Sequence, residues 1–148
     1  MIASFTRENA PMDISFHHDA ESLDWDQIKQ DLIADDFHNG RTTEQLEASF
    51  KNSQMQVYAM DQNRCIGTAR ALSDGIGNAY VIDVWTNNTY RNQGVAREMM
   101  ERMLACGPGQ HFYLQTDDAI EFYRKLGFSE QPLGMSLVVG EYLENDSR

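Results

Sequence analysis

The sequence predicts a mixed α+β fold in one domain, a mixed and mostly antiparallel sheet with helices packed on it. Three observations point there. Between residues 55 and 86 the helical period gives way to three strand-like runs joined by tight turns, the pattern of an antiparallel meander. Residues 79–116 then read strand, turn, helix, strand, a β-α-β unit whose two strands run parallel. Two runs of helical period precede the meander, so helices must cover the sheet.

Element by element, "DISFHHD" (13–19) alternates and predicts a first strand. "LDWDQIKQDLIADDF" sets Leu23 or Trp25, Ile28, Leu32 and Ile33 on one helical face, with Ser22 as the N-cap and "HNG" as the stop. "TTEQLEASFKNS" predicts a short helix capped by Thr42, with Glu44 or Gln45 completing a loose capping box. "MQVYAMD" (55–61), "CIGTARALSD" (65–74) and "AYVIDVWT" (79–86) are the meander strands. Val95, Ala96, Met99, Met100, Met103 and Leu104 then form an apolar helical stripe that "CGPGQ" ends. "HFYLQT" (111–116) predicts a strand, and "DDAIEFYRKLGF" (117–128) an amphipathic helix. Asp117 or Asp118 stands at that helix's positive end, and Gly127 follows its last turn as the C′ residue. "MSLVV" (135–139) predicts a final strand; residues 1–11 read as a loose leader and 141–148 as a polar tail, leaving one domain over 1–148.

A chain of 148 residues can bury roughly 68–70% of its unfolded surface, enough for a core without metal or disulfide. With 41% hydrophobic and 10% aromatic residues it is globular in composition. No apolar run approaches the length of a membrane span, the N-terminus lacks a signal-peptide pattern, and Cys65 and Cys106 form no motif; a cytoplasmic protein is expected. The net charge is −11, and residues 1–54 alone carry four basic and eleven acidic side chains. Such a chain is a poor binder of nucleic acid. Residues 89–128, with five of each sign, are neutral. No His/Cys/Asp group has metal-ligand spacing, so no metal is expected.

The chemistry is concentrated in "TYRNQGVAREMM" (89–100), where a strand passes into a helix. A helix N-terminus presents unpaired N–H groups and positive potential, which together favour an anion such as phosphate. Gly94 can take φ > 0 and lets a ligand approach the backbone; Ala96 is small; Arg91 and Arg97 add charge, and Asn92 and Gln93 add donors. The loop is no P-loop, because "QGVAR" lacks Gly-Lys-Ser/Thr, and no dinucleotide fingerprint, because it has one glycine where three are needed.

"RNQGVA" resembles the Arg/Gln-x-x-Gly-x-Gly/Ala loop of the GNAT superfamily, the acyl-CoA-dependent N-acetyltransferases. "VIDVWTNNTYRNQGVAREMMERML" is similar to that family's central strand, loop and helix. "DDAIEFYRKLGF" is similar to its later segment, through Ala119, Phe122, Tyr123, Lys125 or Arg124, Gly127 and Phe128. The resemblance is close over residues 65–128 and suggests a small, single-domain, bacterial-type member. It implies six to seven strands, helices on both sheet faces and a strand pair that splays before the loop. Acetyl-CoA would then be the cosubstrate, its pantetheine arm on the main chain of Val84, Trp85 and Thr86 and its diphosphate on Arg91, Asn92, Gln93, Gly94, Val95, Ala96 and Arg97. Thr116 and Phe122 would complete the cofactor site. Family members often carry Pro near Asn88 and Asn where Thr116 stands.

Acetyl transfer to an amine needs a deprotonated amine, donors for an oxyanion, and a proton for the leaving thiolate. The backbone near Val84–Thr86 is the expected oxyanion donor. Tyr123 is the expected acid, since a phenol of pKa about 10 is protonated at neutral pH. For the base, Asp83 either relays a proton through water or pairs structurally with Arg70; His17, His18 and His38 are alternatives, while His111 reads as structural. The acceptor site would draw on Trp25, Asp35, Asp36, Phe37 and His38, an acidic, aromatic mouth suited to a small-molecule or peptide amine, cationic with an apolar body. A homodimer is left open, and the rival reading is an acyl-CoA-binding sensor or interaction module without chemistry.

Overall fold

The computed structural model describes residues 13–144; the expected leader (1–11) and the end of the expected tail (145–148) lie outside the described residues. Five strands form one sheet in the order β1-β2-β3-β4-β5: β1 (Ile14–His17), β2 (Met55–Asp61), β3 (Arg64–Ser73), β4 (Asn78–Thr86) and β5 (His111–Tyr113). The first three pairings are antiparallel and β4–β5 is parallel. Four helices, α1 (Trp25–Ala34), α2 (Thr43–Lys51), α3 (Val95–Ala105) and α4 (Ile120–Lys125), cover the two faces. No helix among the described residues is long and apolar enough to cross a membrane.

The strands divide the core by alternation. Val57, Ala59, Ala69, Ala71, Ala79 and Val81 point to one face, where Met99, Met100 and Met103 of α3 lie fully buried on them. Small alanines under flexible methionines let that helix approach closely. Tyr58, Cys65 and Trp85 point to the other face, against Ile28 and Leu32 of α1 and Leu46 and Phe50 of α2. Burial pushes the Cys65 thiol up to about 12, so it is a core residue and not a nucleophile. Thr42 and Gln45 form a reciprocal capping box at the start of α2.

The structure departs from expectation in several places. Asp24, not Ser22, caps α1, accepting from Gln27 N at 3.1 Å, and Ile33 faces solvent. Strand β5 stops after three residues, and α4 begins only at Ile120 because the Thr116 hydroxyl takes the Ala119 N–H at 3.1 Å in a turn. No strand forms over 135–139; Met135, Leu137 and Val139 stay exposed. A sixth strand needs an edge to pair with, and β5 offers only three residues. The sheet therefore has five strands and not six or seven.

The splay is present. β5 meets β4 only at Asn78, Ala79 and Tyr80, so from Val81 to Thr86 the outer edge of β4 has no strand beside it. On its inner side, Thr68 faces Trp85 and Arg70 faces Ile82, so two residues of β4, Asp83 and Val84, oppose Ala69 alone. This bulge, with Asp83 at φ 57°, sits where the gap opens.

Candidate functional site

The turn into α3 has the positive-φ glycine that the sequence reading expects at Gly94. After β4 a single 3-10 turn (Asn88–Tyr90) leads to Asn92 at φ 62° and Gly94 at φ 85°, both left-handed. Asn and Gly are the residues that tolerate this conformation. The first helical bond of α3 runs from Glu98 N to the Gly94 carbonyl at 3.1 Å. The amides of residues 92–97 donate to no group among the described residues, and no side chain caps the helix. No atom lies within 4 Å of the place a Cβ would take on Gly94. Open backbone donors at the positive end of an eleven-residue helix fit a phosphate or diphosphate.

Two carboxylates fix this loop, and the sequence reading missed both roles. Asp35, the C-cap of α1, accepts from the Trp85 indole N–H at 2.9 Å and from Asn88 N at 3.0 Å. Arg91 lies 4.0 Å from it and also donates from Nε to the Thr86 carbonyl at 3.2 Å. On the other side the Tyr90 hydroxyl donates to the Asp61 carboxylate. A carboxylate at the negative end of a helix opposes the helix dipole, and that mismatch was the available signal that Asp35 has partners elsewhere.

Tyr123 lies half-buried against the α3 core, as do Val84 and Phe122. Its ring meets Phe122 at 4.9 Å and Phe128 at 5.6 Å, both edge-on. Desolvation first, then the Asp118 charge, pushes its hydroxyl up to about 12. The helix end ties Tyr123, Gly127 and Phe128 together. Gly127 N bonds the Arg124 carbonyl and Phe128 N reaches the Tyr123 carbonyl at 3.1 Å, with Gly127 at φ 103°. That is a Schellman ending, with Phe128 closing onto Tyr123.

The acceptor residues are only partly brought together. A shallow depression of about 510 Å³, wide open to solvent, is lined by Asp36, Phe37, His38, Asn39, Gly40 and Asp83. Trp25 is not there: it is 6% exposed, with its ring 5.4 Å from Phe50 and 6.1 Å from Tyr58. It starts α1 on the inward face, where an indole's apolar area belongs in the core. His38 Nδ1 accepts from Gly40 N at 3.1 Å, which orients the ring. His17 and His18 are exposed on or beside β1, three strands from β4, or about 14 Å by strand spacing. They are too far to serve the gap. His111 stacks on Tyr113 at 5.3 Å, a structural role.

Asp83 pairs with Arg70, the structural alternative of the sequence reading, and also with Arg41. Oδ2 accepts from Arg70 Nε at 2.7 Å and Arg41 Nη1 at 2.9 Å, and Oδ1 from Arg41 Nη2 at 3.1 Å. Cys106 is exposed at the end of α3 and its thiol donates to the Arg102 carbonyl at 3.4 Å. Among the described residues no group of His, Cys, Asp or Glu could hold a metal ion.

Comparison with known proteins agrees with this geometry. Residues 52–130 match the model of the acetyltransferase (GNAT) domain. The chain is 34% identical over 79 residues to histone acetyltransferase TAP1 of Glycine max, an alignment covering 51% of this chain and 34% of that protein. It is 26% identical over 125 residues to the chloroplastic GCN5-related N-acetyltransferase 1 of Arabidopsis thaliana, covering 80% of this chain and 63% of that one. The chain thus spans about a third of the first relative's length and under two thirds of the second's. A GNAT-family acetyltransferase structure from Streptococcus pneumoniae superposes with a TM-score of 0.71 at 24% identity, covering 86% of this chain and 99% of that one, which supports the fold. A splayed mixed sheet, an open amide loop at the head of α3, and a matching domain over more than half its residues together assign the chain to the GNAT family of acetyltransferases.

Proposed function

We propose that the protein transfers an acetyl group from acetyl-CoA to a primary amine by direct attack in a ternary complex. The observation that carries this reading is the run of unengaged amides at 92–97, beside the unpaired edge of β4. The diphosphate of acetyl-CoA would rest on those amides, with Arg91 and Arg97 adding charge, and the pantetheine arm along Val84, Trp85 and Thr86. The Thr86 carbonyl already accepts from Arg91, so pairing there rests on the remaining edge groups. Phe122 would contribute apolar surface. Thr116 would shape the turn before α4, its hydroxyl being used at Ala119 N.

In the reaction the neutral amine attacks the thioester carbonyl and a backbone N–H of the β4 edge stabilises the oxyanion; as the C–S bond breaks Tyr123 protonates the departing thiolate, and the proton shed by the nitrogen passes to solvent, which returns one to Tyr123. Tyr123 holds its proton at neutral pH, so one is available there; the desolvation that pushes its pKa up to about 12 keeps the group protonated while making it a weaker acid. Asp36, Phe37 and His38 would receive the acceptor, a cationic amine with an apolar body. A thiol-release assay with acetyl-CoA over a panel of amines tests the reading. Release that depends on a cationic amine is expected; tight coenzyme A binding without release would leave a sensor, and no binding would end the proposal.

A further inference from the structure

We infer that Arg41 and Arg70 are positioning residues for the acyl-transfer site, and that Asp83 is their anchor on β4 and not the base. The inference rests on the acetyl-CoA reading of the loop. Asp83 holds a left-handed backbone in the middle of a strand, a conformation that persists only where the surroundings over-determine it. Here they do. Three hydrogen bonds from two guanidinium groups occupy its carboxylate, and its carbonyl accepts from the Thr68 hydroxyl at 3.0 Å.

The guanidinium groups are themselves fixed from behind. Arg41 Nε donates to Asn39 at 2.8 Å and Nη1 to the Ser49 hydroxyl at 2.9 Å. Arg70 Nη1 donates to the Ser53 hydroxyl at 3.1 Å, with the guanidinium 5.5 Å from the Phe50 ring centre. Both arginines therefore brace the β4 bulge against the last turn of α2, and both are buried or nearly so, at 5% and 11% side-chain exposure. Their reach is direct: Val84, the next residue, begins the edge along which the pantetheine arm would lie. A bulge that moves by one residue turns the amides of that edge the other way. The pair Arg41–Asp83 thus sets which N–H groups face the thioester, without touching it. A carboxylate so engaged has little acceptor capacity left to take a proton from the amine.

The variants Arg41→Lys, Arg70→Lys and Asp83→Asn test this by calorimetry and kinetics. Each is titrated with coenzyme A and with adenosine 3′-phosphate 5′-diphosphate, the half that lacks pantetheine. Affinity for the half molecule should stay at the wild-type value, while coenzyme A binds about fivefold more weakly and kcat falls about tenfold. The pH–rate profile should keep its shape, and the Arg41→Lys/Asp83→Asn double variant should be no worse than its poorer parent. Thr68→Val, which keeps the charges and loses one hydrogen bond, should move the same way to a smaller extent and serves if the others do not fold. Folded variants with wild-type coenzyme A affinity and kcat, whatever their melting temperature, overturn the inference alone. So does a pH profile flattened in Asp83→Asn beside an unaltered Arg41→Lys, since that is the behaviour of a base. A wild-type protein that binds no coenzyme A removes the reading beneath it as well.

Discussion

Tyr123 carries its proposed role through its surroundings. Edge-on Phe122 and Phe128 exclude water from one side of the ring, and Asp118 opposes a phenolate, so the hydroxyl stays protonated to about 12. The sign of the pH dependence follows. An alkyl amine gains reactivity as it deprotonates near 10.4, whereas the acid is lost only above its own pKa. With acetyl-CoA saturating, kcat/KM for an amine should rise with pH and show no fall before about pH 10. Asp118→Asn removes the charge that adds to desolvation in raising this pKa, so its descending limb should come at lower pH. Tyr123→Phe should reduce kcat at least about tenfold, some 1.4 kcal/mol of barrier, while coenzyme A affinity holds. Equal kcat in the two proteins would take Tyr123 out of the mechanism.

At the scale of elements, α4 is six residues long and cannot be stable by itself. What holds it is the Schellman ending, and Gly127 is its pivot at φ 103° with no atom near its missing Cβ. Gly127→Ala should therefore cost backbone strain alone, about 1–2 kcal/mol, or a melting temperature lower by about 2–8 °C. Because Tyr123 is the residue whose carbonyl closes that ending, kcat should fall with it; scanning calorimetry and the thiol assay on one preparation check both. An Ala variant melting with wild type would show the glycine to be dispensable. This helix end, the capping box of α2, the meander and the amide loop were all legible in the sequence, because each is decided by residues close in the chain. What escaped was decided at a distance. Asp35 finds Trp85 across 50 residues and Asp83 finds Arg41 across 42, and no local pattern announces either pair. Trp25 was ambiguous because core and ligand contact both want an aromatic on an inward helix face. Residues 135–139 have the β-prone, apolar composition of a strand, but composition cannot supply a partner edge, and β5 ends too soon to give one.

At the scale of the whole molecule, the distribution of charge divides the labour. The net charge is −11, yet residues 89–128, which hold the amide loop and α4, are neutral. The polyanionic cosubstrate of the proposed reaction would thereby meet the least acidic part of the chain. The cleft proposed for the acceptor lies instead between β4 and the loop that follows α1, in the acidic N-terminal third, with Asp36 exposed at its wall. A cationic amine should be drawn toward it from a distance, and such steering weakens once the Debye length falls from about 10 Å at 0.1 M salt to 3 Å at 1 M. With acetyl-CoA held saturating, kcat/KM for a diamine should drop about three- to tenfold over that range through KM, with kcat little changed. A neutral-bodied monoamine of the same size should lose less, in step with its single charge. Asp36→Asn should flatten the diamine's salt dependence while leaving coenzyme A binding alone, because the loop proposed to hold the diphosphate is braced by Asp35 and Asp61 and not by Asp36. A diamine whose kcat/KM ignores salt would mean that the acidic third serves solubility and that acceptors are chosen by shape within the cleft.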